Sequence, residues 1–129
     1  MSLLRLETTP ASNGVQRVIL GGRLDTHTYA QLDEVLAPIL ADNSVFSLVL
    51  DLAGLDYISS AGIRSVFKAR KALAARAGKV LVVNPQPQIQ KVFDMVKAVP
   101  LNEIFTSVEE ADAYLYAMQR KVIEGDSDD

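Results

Sequence analysis

Residues 51–71 read DLAGLDYISSAGIRSVFKARK, and the reading of this stretch decides the fold. Its first residues close Val45 to Leu52, VFSLVLDL, a nearly unbroken apolar run rich in branched side chains. That pattern predicts a central strand covered on both faces. Past the serines, Ile63, Val66, Phe67, Leu73, Ala74 and Ala77 fall on one helical stripe, with Arg64, Lys68 and Lys71 on the other side and Gly78 at the end. Between strand and helix lies Gly54 to Gly62, read as a loop, with Ser59 and Ser60 adjacent where the helix begins. One serine suffices as an N-cap, worth about 1 kcal/mol. The second hydroxyl is then either a polar loop residue or a chemical site, and spacing alone leaves both open.

Working outward, Leu3 to Thr8 alternates as a half-buried strand, and PASNG at 10–14 is a turn in which Asn13-Gly14 favours a tight hairpin. Val15 to Leu20 is the returning strand, halted by Gly21-Gly22. Thr26 or Thr28 then caps a helix carrying Leu32, Val35, Leu36, Ile39 and Leu40, which Pro38 should kink or distort. Lys79 to Val83 reads as a short buried strand, and Pro87 opens a helix with Ile89, Val92, Phe93 and Val96 inward. Ile104-Phe105 reads as a short edge strand. Ser107 to Glu110 forms a capping box before a last helix with Ala111, Leu115 and Met118 inward. Strands alternating with helices imply right-handed crossovers. The fold class is α/β: a single domain with a mixed, mostly parallel sheet, an antiparallel N-terminal hairpin and about four helices. The domain covers residues 1–123, and the acidic segment 124–129 reads as a disordered tail.

Composition narrows the function classes. Hydrophobic residues make up 49% of the 129-residue chain and charged residues 22%, a globular balance with a core of Leu, Ile, Val and Ala. Cysteine is absent, which removes disulfides, thiolate nucleophiles and Cys-based zinc sites. No apolar run approaches the roughly 18 residues of a membrane span, and no secretory signal is visible, so a cytoplasmic location without membrane insertion is expected. The net charge of −3 is concentrated at the end of the chain: four of the sixteen acids lie in the last six residues, leaving twelve against thirteen bases. A near-neutral body gathers no nucleic acid.

In parallel sheets, ligands sit beyond the carboxyl ends of the strands. The segments Gly22 to Thr28 and Gly54 to Gly62 both leave such ends, so Asp25 and the serines are expected to be neighbours. A nucleophile elbow needs a small residue two before the serine, where Ser60 has Ile58, and His27 is the only histidine available as a base. Neither phosphate-loop nor dinucleotide glycine patterns occur. No metal or cofactor is expected.

Gly22-Arg23-Leu24-Asp25, then LDLAGLDYISSAGIRSVFKARK and KVLVVNPQPQIQKVFDM, together resemble the STAS family of sulfate transporters and anti-sigma factor antagonists. The resemblance spans roughly Leu3 to Met118. In the antagonist branch this loop reads Asp-Ser-Ser/Thr-Gly, so Ser59 stands at the aspartate, Ser60 at the phosphorylated serine, Ala61 at the second hydroxyl residue and Gly62 at the glycine, with Asp25 matching an acid of the neighbouring loop. The resemblance implies partner switching by a protein that is not itself an enzyme. The unphosphorylated form binds an anti-sigma factor with serine kinase activity, phosphorylation at Ser60 releases it, and a metal-dependent serine phosphatase resets the switch. Asp25, Thr26, Ser59, Ser60, Ala61, Gly62, Arg64, Ser65 and Lys68 are the expected docking face. Two alternatives stand beside it: a STAS docking subunit of a transporter or signalling scaffold, without phosphorylation, and a small α/β serine hydrolase using Ser60.

Overall fold

The computed structural model describes residues 3–125. The chain runs β1 (Leu4–Thr8), β2 (Val15–Leu24), α1 (Tyr29–Ala41), β3 (Ser47–Ile58), α2 (Ser60–Ala74), β4 (Lys79–Val83), α3 (Pro87–Ala98), α4 (Leu101–Ile104) and α5 (Val108–Ile123). One mixed sheet has the order β1-β2-β3-β4, antiparallel between β1 and β2 and parallel elsewhere. Asn13 and Gly14 turn the hairpin with positive φ at both positions, as a tight two-residue loop requires. The core joins Val18, Leu20 and Leu24 of β2 to Leu48, Leu50 and Leu52 of β3 beneath the helices.

Several elements depart from the sequence pattern for identifiable reasons. β2 passes through Gly21-Gly22 to Leu24, and β3 continues to Ile58, so the expected loop 54–62 is mostly strand. The register shifts around Gly21, which pairs with Gly54, and the two backbones approach where neither residue has a Cβ. Gly22 has φ +89°, and a Cβ there would lie 2.1 Å from the Leu3 carbonyl oxygen. β3 is central but fully covered on one face only: Leu48, Leu50 and Leu52 are buried, while Val49 on the opposite side is half-buried. β4, expected to be buried, is an edge strand, with Lys79 and Leu81 exposed.

Ile104-Phe105 forms no strand. Pro100 opens the single-turn α4, and the Phe105 ring packs on Tyr114 at 5.3 Å, which ties the segment to α5 rather than to the sheet. α1 continues through Pro38 as one helix; Pro38 and Glu34 are both exposed, so the carbonyl that loses its amide partner faces water. α2 ends at Ala74, not Gly78. Ala77 takes the left-handed conformation, and the Gly78 N–H returns to the Leu73 carbonyl at 2.7 Å. Ala74 and Ala77 are exposed, and Ala69 takes the inward place. α3 begins at Pro87 and buries Ile89, Val92, Phe93 and Val96, as its spacing predicts. At the head of α5 the Ser107 hydroxyl accepts the Glu110 N–H at 3.1 Å.

On the partly covered face of β3, Asp51 accepts the Ala53 N–H at 3.1 Å and pairs with the Arg17 guanidinium, with the Asn84 amide 3.5 Å away. The Ala53 hydrogen bond, helped by Arg17 and Asn84 against the opposing effect of burial, holds this carboxyl below its ordinary value. A depressed carboxyl stabilises the fold above its unfolded pKa of about 3.9, and that contribution disappears as pH falls through the folded value. Urea denaturation should therefore find wild type more stable than Asp51→Asn at neutral pH, with the gap closing below about pH 4. A gap independent of pH contradicts this account.

Candidate functional site

Parallel pairing brings the ends of β2 and β3 side by side, with Leu24 opposite Ile58. The Ser59 N–H donates to the Leu24 carbonyl at 2.9 Å, so β3 turns into α2 with a single residue between them. Gly62 permits that approach: a Cβ there would lie 2.7 Å from Leu24 Cγ and 2.9 Å from both the Leu24 carbonyl oxygen and Ile58 Cγ1. Asp25 begins the neighbouring turn. Its Oδ1 accepts the His27 N–H at 2.9 Å, and its own N–H donates to the Thr28 hydroxyl at 2.9 Å. Thr28 occupies the N-cap position of α1, but its hydroxyl bonds within this turn and to the Arg23 carbonyl, not to the helix. Arg23 links this turn to the end of β3, with Nε 3.5 Å from Asp25 Oδ2 and Cζ 4.4 Å from the centre of the Tyr57 ring.

The serines are held differently from a simple capping pair. Ser59 is the N-cap residue of α2, with φ −99° and ψ 177°, yet its side chain makes no capping bond. Ser59 and Ser60 are 2% and 5% exposed, and both Oγ atoms are buried without a hydrogen-bond partner among the described residues. The Ser60 N–H instead donates to Asp112 Oδ1 of α5 at 2.9 Å. A carboxylate from a distant helix thus satisfies the first of the free N–H groups that open α2. Gln119, two turns further along α5, has its Oε1 accept the Ile58 N–H at 3.0 Å and its Nε2 donate to the Ile58 carbonyl at 2.8 Å. The Tyr116 ring meets Tyr57 edge-on at 6.0 Å. Burial, with the Asp112 carboxylate adding to it, pushes the Tyr57 phenol above its ordinary pKa.

The expected docking residues therefore divide. Thr26, Arg64 and Lys68 are exposed, whereas Asp25, Ser59, Ser60, Ala61, Gly62 and Ser65 are buried beneath them. Lys68 is paired across to Asp33 of α1 at 3.5 Å. Beside Ser60 a cavity of about 390 Å³ opens between α2, α4 and the start of α5; Ile63, Phe67, Leu101 and Phe105 line it, and Arg64 is its one charged residue. His27 is exposed and Ser60 Oγ bonds to no base, so the relay a serine hydrolase needs is not assembled. Among the described residues no group of three or more His, Cys, Asp or Glu side chains is placed to hold a metal ion. No helix there is long and apolar enough to cross a membrane.

The model of the STAS domain matches residues 8–111. This chain belongs to the STAS family. Among curated relatives, the anti-sigma F factor antagonist of Lysinibacillus sphaericus is 31% identical over 57% of the chain and 63% of its own length. BtrV of Bordetella bronchiseptica, named among the anti-sigma factor antagonists, is 32% identical over 78% of the chain and 86% of its own. The Bacillus protein SpoIIAA, solved in unphosphorylated and phosphorylated forms, shares the fold at TM-score 0.61 and 23% identity, covering 70% of this chain and 82% of that one.

Sequence reasoning missed Asp112 and Gln119, which lie with Leu115 on the inward stripe of α5. Polar residues at helical spacing within an apolar stripe were the available signal. Two substitutions test this geometry by urea denaturation. Gln119→Leu leaves both polar groups of Ile58 without their side-chain partner and should cost about 2 kcal/mol. Ser59→Ala should change stability by less than about 0.5 kcal/mol, because no cap is lost. A full capping loss at Ser59, or no effect at Gln119, contradicts the assignment.

Proposed function

We propose that this STAS protein is an anti-sigma factor antagonist that works by partner switching, with Ser60 as the phosphoacceptor. The observation that carries the reading is the Ser60 hydroxyl. It stands at the carboxyl edge of the sheet, in the first turn of α2, and makes no hydrogen bond among the described residues. A buried hydroxyl without a partner is costly to keep unless something else calls for it. The names borne by the curated relatives supply the class of partner.

In this reading the unphosphorylated protein docks on an anti-sigma factor with serine kinase activity and thereby frees the sigma factor. Thr26, Arg64 and Lys68 supply the exposed contacts, while Asp25, Ser59, Ala61, Gly62 and Ser65 shape the surface from below. Phosphorylation adds about −1.5 to −2 charge to the first turn of α2. The helix dipole tolerates an anion there, so the fold survives, and release comes from burying the phosphate at the interface beside acids such as Asp25. A metal-dependent serine phosphatase then restores the binding form. The protein is a substrate and a binding module throughout, in a cytoplasmic setting.

Incubation with the kinase and ATP, followed by mass spectrometry of peptides, should place one phosphate on Ser60. Ser60→Ala should remain bound to the kinase, and Ser60→Asp should bind at least about tenfold more weakly. Phosphate found only elsewhere, or Ser60→Asp binding as wild type does, contradicts the reading. A STAS docking subunit that is not phosphorylated would give that result.

A further inference from the structure

Asp112 belongs to α5, 52 residues beyond Ser60, yet its carboxylate accepts the N–H of Ser60 itself at 2.9 Å. That amide opens α2, where free N–H groups and the helix dipole favour one anion. A phosphate on Ser60 Oγ would be a second anion on the same residue. Two such charges repel at this range, and only one can use the amide. We infer that Asp112 is the positioning residue through which the phosphorylation state of Ser60 reaches α5: its carboxylate holds the start of α5 over Ser60 in the unmodified protein and is expelled by the phosphate. The inference rests on reading Ser60 as the phosphoacceptor.

Three further features agree with a displacement confined to the start of α5. Gln119 grips both polar groups of Ile58, and its Nε2 also bonds to the Leu115 carbonyl, so the second half of the helix keeps its anchor. Along the chain, α3 leads into α5 through the single-turn α4 and the short segment 105–107. The cavity beside Ser60 offers the phosphate a place, with Arg64, Thr106 and Ser107 among the residues that line it. Arg64 makes no ion pair among the described residues. The partner would then meet two changes: a new charge at Ser60 and a moved edge of α5, where Val108 and Tyr114 are exposed.

The test needs no partner. Protein carrying phosphoserine at position 60, installed during translation, is compared with unmodified protein by amide hydrogen exchange. Phosphoserine should speed exchange of the amides at 108–116 by about tenfold or more and leave Ile58 protected. Asp112→Asn keeps an oxygen that can accept the Ser60 N–H but removes the charge, and in that variant the phosphate should change α5 exchange by less than about threefold. Unchanged α5 exchange in the phosphorylated wild type overturns the proposal, as does an equal acceleration in Asp112→Asn. A kinase that fails to modify Ser60 would sink the functional reading and leave this intramolecular result untouched.

Discussion

β3 outruns β4. The ladder between them ends at Asp51 and Val83, while β3 continues seven residues further to Ile58. Along that stretch one edge of β3 pairs with β2 and the other has no strand beside it. Backbone groups left buried there would each cost as much as a lost hydrogen bond. Three glutamines answer the constraint. Gln86 donates to the Ala53 carbonyl at 2.9 Å, Gln88 to the Asp56 carbonyl at 3.0 Å, and Gln119 takes both groups of Ile58. The start of α3 and the body of α5 are thereby fastened to the overhang, beside the apolar packing of Ile89, Val92, Val96 and Leu115 in the core.

The overhang also explains why the serines sit where they do. A strand that ends inside the fold delivers its next residues directly into α2, and Gly62 lets the first turn of that helix press against Leu24. The Ser59 and Ser60 hydroxyls arrive buried, and the backbone N–H groups around them are already committed to Leu24 and Asp112. The side chains consequently have no structural duty. Asp25 has one, since it builds the turn into α1 and meets Arg23, which in turn covers Tyr57. Charge and packing around Ser60 therefore come from β2, β3, α2 and α5 together, and a change at one residue has four elements through which to act.

Much of this was legible in the sequence. Asn13-Gly14 announced the hairpin, Pro87 the start of α3, and the alternation of elements the parallel sheet. The strand–serine–helix segment gave the family. What escaped was long-range. Local propensity at Gly21-Gly22 and Gly54 argued for strand ends, but opposed glycines allowed two backbones to continue side by side. Ser59 carries the right residue type for a cap and occupies the right position, yet Asp112 reaches the amide of Ser60 from another helix. Ile104-Phe105 has strand-like residues, and Pro100 with the Phe105–Tyr114 contact diverts it. Each case is a tertiary contact overruling a local preference.

The claim beneath the whole account is that α5 closes the end of β3 and the start of α2 through two side chains. Amide hydrogen exchange of the unmodified protein, read residue by residue with increasing denaturant, tests it directly. The account predicts that the amides of Ile58 and Ser60 are protected and open with the same free energy as the interior amides of α5, such as those of Leu115 and Met118. Ile58 and Ser60 amides that exchange as freely as an unfolded peptide, or that stay protected after the α5 amides have opened, would contradict it.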